Sequence, residues 1–367
     1  MKRKNKIFYT TVSVFLMSTI LCSCSGYTEI ENMDILTSHF VYKDGNEIRL
    51  GGGIANVRSF SDSMADRPIS YISAVGTDVG DASKRLRFSA DHKLFYGGIR
   101  ALVIGEEYAK SGIGEFLDYV QALPDHRTSV SVFTSSTEPR DIVEYKAVND
   151  FSGGFAAESI VRTLQNDKAM ITCTLSDIWE ANAQNKVGFV VPDIKIVDNI
   201  MSIDGYSVFD GDKKIAHIDA LYGRGLNYII SKNAKENYVV KLPSGSEYYA
   251  EVNMKKKKIN MTENEQNTLM LNGEFVFDLT INTRGVGELD EEQKAYIKNT
   301  IADKILYEID SVLNIAKENK CDFLRLYKVY QSKKRNRFYE IDWQEMIGTM
   351  NISTNVLIDK IKNDTVR

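Results

Sequence analysis

The sequence predicts an α+β fold, with strands and hairpins forming sheets and a small number of helices laid on them. Three stretches carry the prediction. The apolar run "ALVIG" from Ala101 is followed by a helix-spaced segment and then by the alternating "RTSVSVFTSS", a strand–helix–strand succession. Two later stretches, "YSVFDGDKKIAHI" and "NYVVKLPSGSEYYAEVNM", each set a turn cluster between two strand-like runs. A long helix striped with isoleucine then precedes a closing strand, "NISTNVLIDKIK".

The chain opens on Met-Lys-Arg-Lys-Asn-Lys, and a 15-residue uncharged run from Ile7 to Leu21 follows these four positive charges. A basic start before an apolar run is the form of a secretory leader, and the run is short of the ~20 apolar residues that a bilayer span needs. "Leu21-Cys22-Ser23-Cys24" then resembles a bacterial lipobox. Cys24 is the expected lipidation site, because Leu21 stands three residues before it and small Ser23 directly before it. Cys22 fits badly, since bulky Leu21 would then be the last residue cleaved away. Residues 1–23 are thus read as a lipoprotein signal peptide, and the Cys24 thiol as the group alkylated by a diacylglycerol. Neither a redox pair nor a metal site is expected from these two cysteines. A zinc site takes about four ligands, whereas Cys173, Cys321 and four scattered histidines are what the rest of the chain offers. No metal and no cofactor is expected.

Without the leader 344 residues remain, and the formal charge falls from −4 to −8 because the leader holds four Lys/Arg and no acid. A mildly acidic chain is poorly suited to nucleic acid. This length suggests two or three domains. Hydrophobic residues make up 43%, enough to fill ordinary cores. No later segment has the length and apolarity of a membrane span. Five prolines, with no Ser/Gly-rich stretch, place any domain boundaries at tight turns.

Residues 31–75 read as strands. In "HFVYKDGNEIRL" the pair Asp44-Gly45 separates two short runs, which is hairpin chemistry. "GGGIAN" follows; with no Lys-Ser/Thr after it, a bulge or strand bend is expected there rather than a phosphate loop. Glu106 to Ala122 has helical spacing, with Ile113, Phe116, Leu117 and Val120 on one face, and Gly112 and Gly114 weaken it locally. Val130 and Val132 share a face of the next strand. Two more helices are expected, over 155–170 and 175–185, with Ser176-Asp177 at the cap of the second. From about Val197 hairpin chemistry takes over. In "GEFVFDLTIN" Phe275, Phe277, Leu279 and Ile281 share one face. The long helix is expected from Asp290 to about Lys320, with Ile297, Ile301, Ile305 and Ile309 in its stripe. Such a stripe packs on a sheet of its own domain, or else docks a partner. "DWQEMIG" reads as a short helix before the last strand.

Catalytic signatures are missing: there is no Gly-x-Ser-x-Gly elbow, His-Glu-x-x-His, Walker motif or dinucleotide fingerprint. His39, His92, His126 and His217 lie far apart, and His126, in "LPDHRT", reads as a solvated loop residue. The pairs Glu106-Glu107 and Glu291-Glu292 sit at helix starts, where the helix dipole accounts for them. "KKKK" at Lys255–Lys258 and the basic "SKKRNRF" from Ser332 read as solvated turn or edge, with anionic lipid headgroups as the alternative. No catalytic residue is assigned.

The order of these pieces resembles a known family. A lipobox is followed by "KLFYGGIRALVIGEEYAKSGIGEFLDYVQALPDHRTSVSVF" and "YSVFDGDKKIAHIDALYGRGLNYI". A Gly-x-Gly-Glu turn at Gly285–Glu288, a long helix and "CDFLRLYKVYQ…DWQEM" come next. The succession is similar to the Ger(x)C family, the lipoprotein C subunits of spore germinant receptors. The resemblance implies three consecutive mixed α/β domains on an N-terminal lipid tether, here 24–196, 197–265 and 266–367, the last an antiparallel sheet packed by the long helix. It implies a non-enzymatic subunit at the outer leaflet of the cell membrane or inner spore membrane. Its partners would be a membrane A subunit and a multi-spanning B subunit of a complex that senses nutrients and triggers germination. A lipid-anchored solute-binding protein of a transporter is the alternative from another class. The late hairpins and the single long helix argue against its usual two doubly wound lobes.

Overall fold

The computed structural model describes residues 32–55, 69–147, 152–184, 186–282 and 289–364. Its first strands answer to the hairpin chemistry near Asp44. β1 (Met33–Asp44) and β2 (Glu47–Ala55) pair antiparallel, and Gly45 takes the left-handed φ of +61° that the two-residue turn needs. The three glycines lie inside β2, between β1 and β3 (Ile69–Gly76). A Cβ on Gly51 would stand 2.1 Å from the Ile72 carbonyl oxygen, so the strands close to a distance only glycine permits. A register shift in β1 between Leu36 and Ser38, opposite Ile54 and Gly53, supplies the expected bulge.

The chain then alternates helix and strand. α1 (Val79–Ser89) leads to β4 (Lys93–Phe95) and β5 (Ala101–Gly105), both parallel to β1. α2 (Glu106–Ser111) and α3 (Gly114–Ala122) replace the single helix expected over 106–122. The break is at Gly112, whose φ of +122° no helix accommodates. β6 (Ser131–Ser135) is parallel to β5. α4 (Pro139–Val143) and α5 (Gly153–Asn166) follow, then α6 (Leu175–Ala183). The N-cap of α6 is Thr174 rather than Ser176, in a reciprocal capping box with Asp177. β7 (Phe189–Val197) meets β6 parallel, and β8 (Ile200–Asp210) and β9 (Lys213–Asp219) extend the sheet antiparallel. The order is β3-β2-β1-β5-β6-β7-β8-β9, with β4 also on β1.

This sheet is covered on both faces, which is why β5 is apolar throughout. Leu102 and Ile104 face one cluster with Leu86, Phe116 and Phe209, whereas Ala101 and Val103 face another with Phe40, Phe133 and Val190. The second cluster runs on without interruption into the core of the second sheet.

α7 (Ala220–Ile230) leads to β10 (Lys235–Lys241), β11 (Glu247–Glu263) and β12 (Leu269–Asn282), an antiparallel meander. Segment 197–265 is thus divided: β8 and β9 belong to the first sheet, β10 and β11 to the second. α7 joins the two sheets, while the β7–β8 hairpin turns within the first sheet through Asp198 and Asn199, both left-handed. α8 (Glu291–Glu318) begins with Asp290 in a capping box with Gln293. Ile297, Ile301, Ile305 and Ile309 are wholly buried, as are Phe277, Leu279 and Ile281 of β12. The stripe is therefore core. After α9 (Leu326–Glu340) and α10 (Trp343–Gly348), β13 (Asn351–Asp364) lies parallel to β12. The last sheet is accordingly antiparallel over β10–β12 and closes on a parallel pair, because a helical crossover brings the chain back in its former direction. Cys173 and Cys321 are both free and buried.

Candidate functional site

Cys24 and its leader lie outside the described residues, as does the Gly285–Glu288 turn. The four histidines separate into three settings. His92 pairs with Asp34 at 3.3 Å, and His217 lies 3.6 Å from Asp193 and 3.5 Å from Asp219. His39 and His126 meet. β1 holds His39 between Gly52 and Leu102, fully buried. The turn after α3, closed by the His126 amide on the Leu123 carbonyl, folds His126 back over Tyr96. The solvated loop histidine expected there is instead packed, with both ring nitrogens shut from solvent. Around His39 stand Tyr96 at 5.3 Å, Phe116 at 5.5 Å, Tyr119 at 5.9 Å and His126 at 6.0 Å. Burial lowers the pKa of His39 well below its usual value, and the charge of His126 adds to this. Burial also brings His126 down to about 4. Both rings are neutral at pH 7.

A second buried cluster joins α7, β10 and α8. One guanidinium, Arg224, faces two carboxylates: Glu308 at 3.5 Å and Glu236 at 3.8 Å. The Tyr238 hydroxyl donates to Glu308 at 2.5 Å and lies 3.0 Å from the Tyr228 hydroxyl. Burial raises Glu236 to about 7, opposed by Arg224 and assisted by the charge of Glu308. At the edge of the first sheet, Lys214 is buried between Glu106 at 3.2 Å and Asp193 at 3.7 Å. Glu106 therefore binds this sheet edge as well as starting α2.

The "CDFLRLYK" block forms the seam between the two halves. Asp322 is wholly buried and accepts from the amides of Leu326 and Tyr327 and from the Trp343 indole. Its backbone carbonyl takes the Gly188 amide at 3.2 Å. From this anchored turn Arg325, left-handed at φ +61°, reaches Asp177 at 3.2 Å, and Lys328 reaches Glu180 at 2.9 Å. A lone Asp inside an apolar run was the signal for this anchor in the sequence.

Beside the seam lies a cleft of about 510 Å³. The segment after α5 supplies Lys168, Thr172 and Thr174; the end of α7 supplies Ser231, Lys232 and Asn233. Asp177 and Arg325 stand at its junction with a narrow apolar recess lined by Phe189, Phe323 and Val187. The Lys255–Lys258 run lies within β11, beyond the residues that β10 covers, hence on an open sheet edge as expected. Lys257 differs from its neighbours: its ammonium donates to the Ile229 and Ser231 carbonyls at the end of α7, both at 2.6 Å. From the other basic run, Lys334 and Arg337 pair with Glu263. Among the described residues no cluster of His, Cys, Asp and Glu has the size of a metal site, and no helix is long and apolar enough to cross a membrane.

Comparison with known proteins accounts for both halves. Residues 26–196 match the spore germination protein N-terminal domain, and residues 204–363 match the spore germination B3/GerAC-like C-terminal domain. The chain belongs to the Ger(x)C family of spore germination proteins. A Bacillus subtilis (strain 168) relative named for spore germination, YfkR, is 22% identical over 305 residues, covering 79% of this chain and 77% of its own. The crystal structure of the GerBC protein superposes with a TM-score of 0.56 at 12% identity, covering 92% of this chain and 100% of GerBC. This Ger(x)C chain thus shares the overall fold of GerBC over the part that superposes. The two family matches meet between residues 196 and 204, in the β7–β8 hairpin, while the cleft is lined from both matched halves.

Proposed function

We propose that this Ger(x)C protein is the lipoprotein C subunit of a nutrient germinant receptor. On this reading it is a non-enzymatic component, tethered by a lipid on Cys24 to the outer leaflet of the cell membrane or inner spore membrane. There it assembles with the receptor's A and B membrane subunits and is needed for the nutrient signal to start germination. The observation that carries the proposal is the match of both halves in the family's own order, along nearly the whole chain after the leader. The "LCSC" motif after an uncharged run supports the tether. The two mixed sheets, so unlike a pair of doubly wound lobes, favour this over a transporter's solute-binding protein.

A chromosomal Cys24→Ala variant tests the reading. Its spores should lose the protein from the inner-membrane fraction and respond weakly to the nutrients that the wild-type receptor serves. Mass analysis of the wild-type protein should find a diacylglyceryl Cys24 as the first residue. Normal membrane retention together with a normal nutrient response in the variant would overturn the proposal.

A further inference from the structure

The cleft between the two matched halves has an imbalance of charge that its surroundings do not use. Three cations line it, Lys168, Lys232 and Arg325, against one carboxylate, Asp177. Asp177 is already engaged by Arg325 at 3.2 Å and by the Thr174 hydroxyl at 2.6 Å. Among the described residues no carboxylate pairs with the ammonium of Lys168 or of Lys232. The chain as a whole is acidic, so this concentration of positive charge is local.

Thr174 and Asp177 are the cap and first turn of α6, whose leading amides are already held by the Val130, Thr128 and Thr174 carbonyls, so the cleft's positive charge comes from its side chains. The end of α7, which would bring negative carbonyls to the same place, is occupied by the Lys257 ammonium. Lys168 and Arg325, from separate segments, both hold a left-handed backbone at φ +61°, a conformation that costs energy for residues other than glycine. The Lys168 carbonyl is fixed by the Lys235 amide and the Asn227 side chain. The backbone of the rim is therefore set before any ligand arrives, and the exposed Lys168 and Lys232 side chains stand on it. Its volume lies within the range of small-molecule sites, and a junction of domains is a favoured place for them.

We propose that this cleft binds a small oxyanion of two negative charges, a dicarboxylate or a phosphate. Lys168 and Lys232 would supply the charge, and Thr172 and Asn233 would donate hydrogen bonds. The site is a property of this chain whichever receptor it serves, so it stands or falls separately from the assignment above. Both matched halves contribute to it, so an occupied cleft would hold the halves in one arrangement.

Equilibrium dialysis of the full mature chain with labelled inorganic phosphate and labelled succinate, at fixed ionic strength and pH 7.5, tests the proposal. One saturable site per chain is expected for at least one probe, and the preferred probe names the oxyanion. The double variant Lys168→Gln/Lys232→Gln should bind at least about tenfold more weakly. It should also keep its melting temperature without ligand, because among the described residues neither ammonium has a partner to lose. No saturable binding of either probe up to about 10 mM overturns the proposal. So does equal binding by a folded double variant.

Discussion

The imidazole rings of His39 and His126 lie 6.0 Å apart, centroid to centroid, one from the middle of a strand and the other from a surface turn. Tyr96 packs against both rings, and Phe116 and Tyr119 pack against His39. Two imidazoles this close in an apolar surround tolerate each other only when neutral. A proton on either faces both lost hydration and a like charge.

The first prediction is acid lability centred on this pair. Both folded-state pKa values are depressed, His126 to about 4 from 6.5. In the unfolded chain each histidine takes a proton near pH 6.5, so between pH 6.5 and 4 the unfolded state binds more protons. The pair's contribution to stability is therefore full above about pH 7 and falls as pH drops through that window. His126 alone accounts for about 3 kcal/mol of the loss. Denaturant unfolding of His126→Gln at pH 7 and pH 4.5 should show a smaller difference than the wild type shows. An equal difference in both proteins would remove the pair as the cause.

Glu236 should act in the opposite sense. Its folded pKa is raised to about 7 from 4.5, so its contribution is fully present below pH 4.5 and is lost as pH rises through about 7. Glu236→Gln removes the charge that Glu308 and burial disfavour. The variant should melt near the wild type at pH 4.5 and higher than it at pH 8.5, by the equivalent of about 3 kcal/mol. A lower melting temperature at pH 8.5 would mean that the Arg224 contact outweighs burial.

These two clusters mark what the sequence did not disclose. Local periodicity exposed the hairpins at Gly45 and Gly211, the alternation of Phe275–Ile281 and the stripe of Ile297–Ile309, since each is a pattern within one element. The His39–His126 meeting depends on β1 lying beside β5, and the cleft draws its cations from three separate segments. Such juxtapositions come from strand order, which periodicity does not encode. The parallel pairing of β13 escaped for the same reason. The break at Gly112 was half legible: glycine marked the weak point, but the φ of +122° is set by packing, with the Ile113 amide held on the Asp212 carbonyl.

Ile305 provides the third prediction. It is wholly buried against the second sheet, whereas Tyr307, two residues along α8, is 62% exposed. Ile305→Asp loses about 2–3 kcal/mol of apolar burial and strands a carboxylate in the core. It should unfold or severely destabilise the second half, while Tyr307→Asp should melt close to the wild type. A helix that docked a partner through its isoleucines would tolerate Ile305→Asp in the isolated protein, and thermal melts of the two variants separate these cases.

The last prediction takes apart the lysine run. Lys255–Lys258 look alike in sequence, but the structure gives one of them a separate task. Lys257 lies partly buried with its ammonium 2.6 Å from both the Ile229 and Ser231 carbonyls, which the end of α7 would otherwise leave unpaired. Lys256 and Lys258 are exposed on the same strand. Hydrogen bonds from a charged donor are worth about 1.5–3 kcal/mol, and the loss is larger when the acceptors stay buried. Lys257→Met keeps the apolar stem and removes the donor, so it should lower stability by about 2 kcal/mol. Lys256→Gln and Lys258→Gln should each remain within about 0.5 kcal/mol of the wild type. A lipid-facing run predicts another pattern, in which all three variants keep the wild-type melting temperature and all three weaken binding to anionic vesicles. Chemical denaturation beside vesicle sedimentation on the same three proteins distinguishes the two. A stability loss confined to Lys257→Met assigns that lysine to the helix end and leaves its neighbours as guards of the open edge.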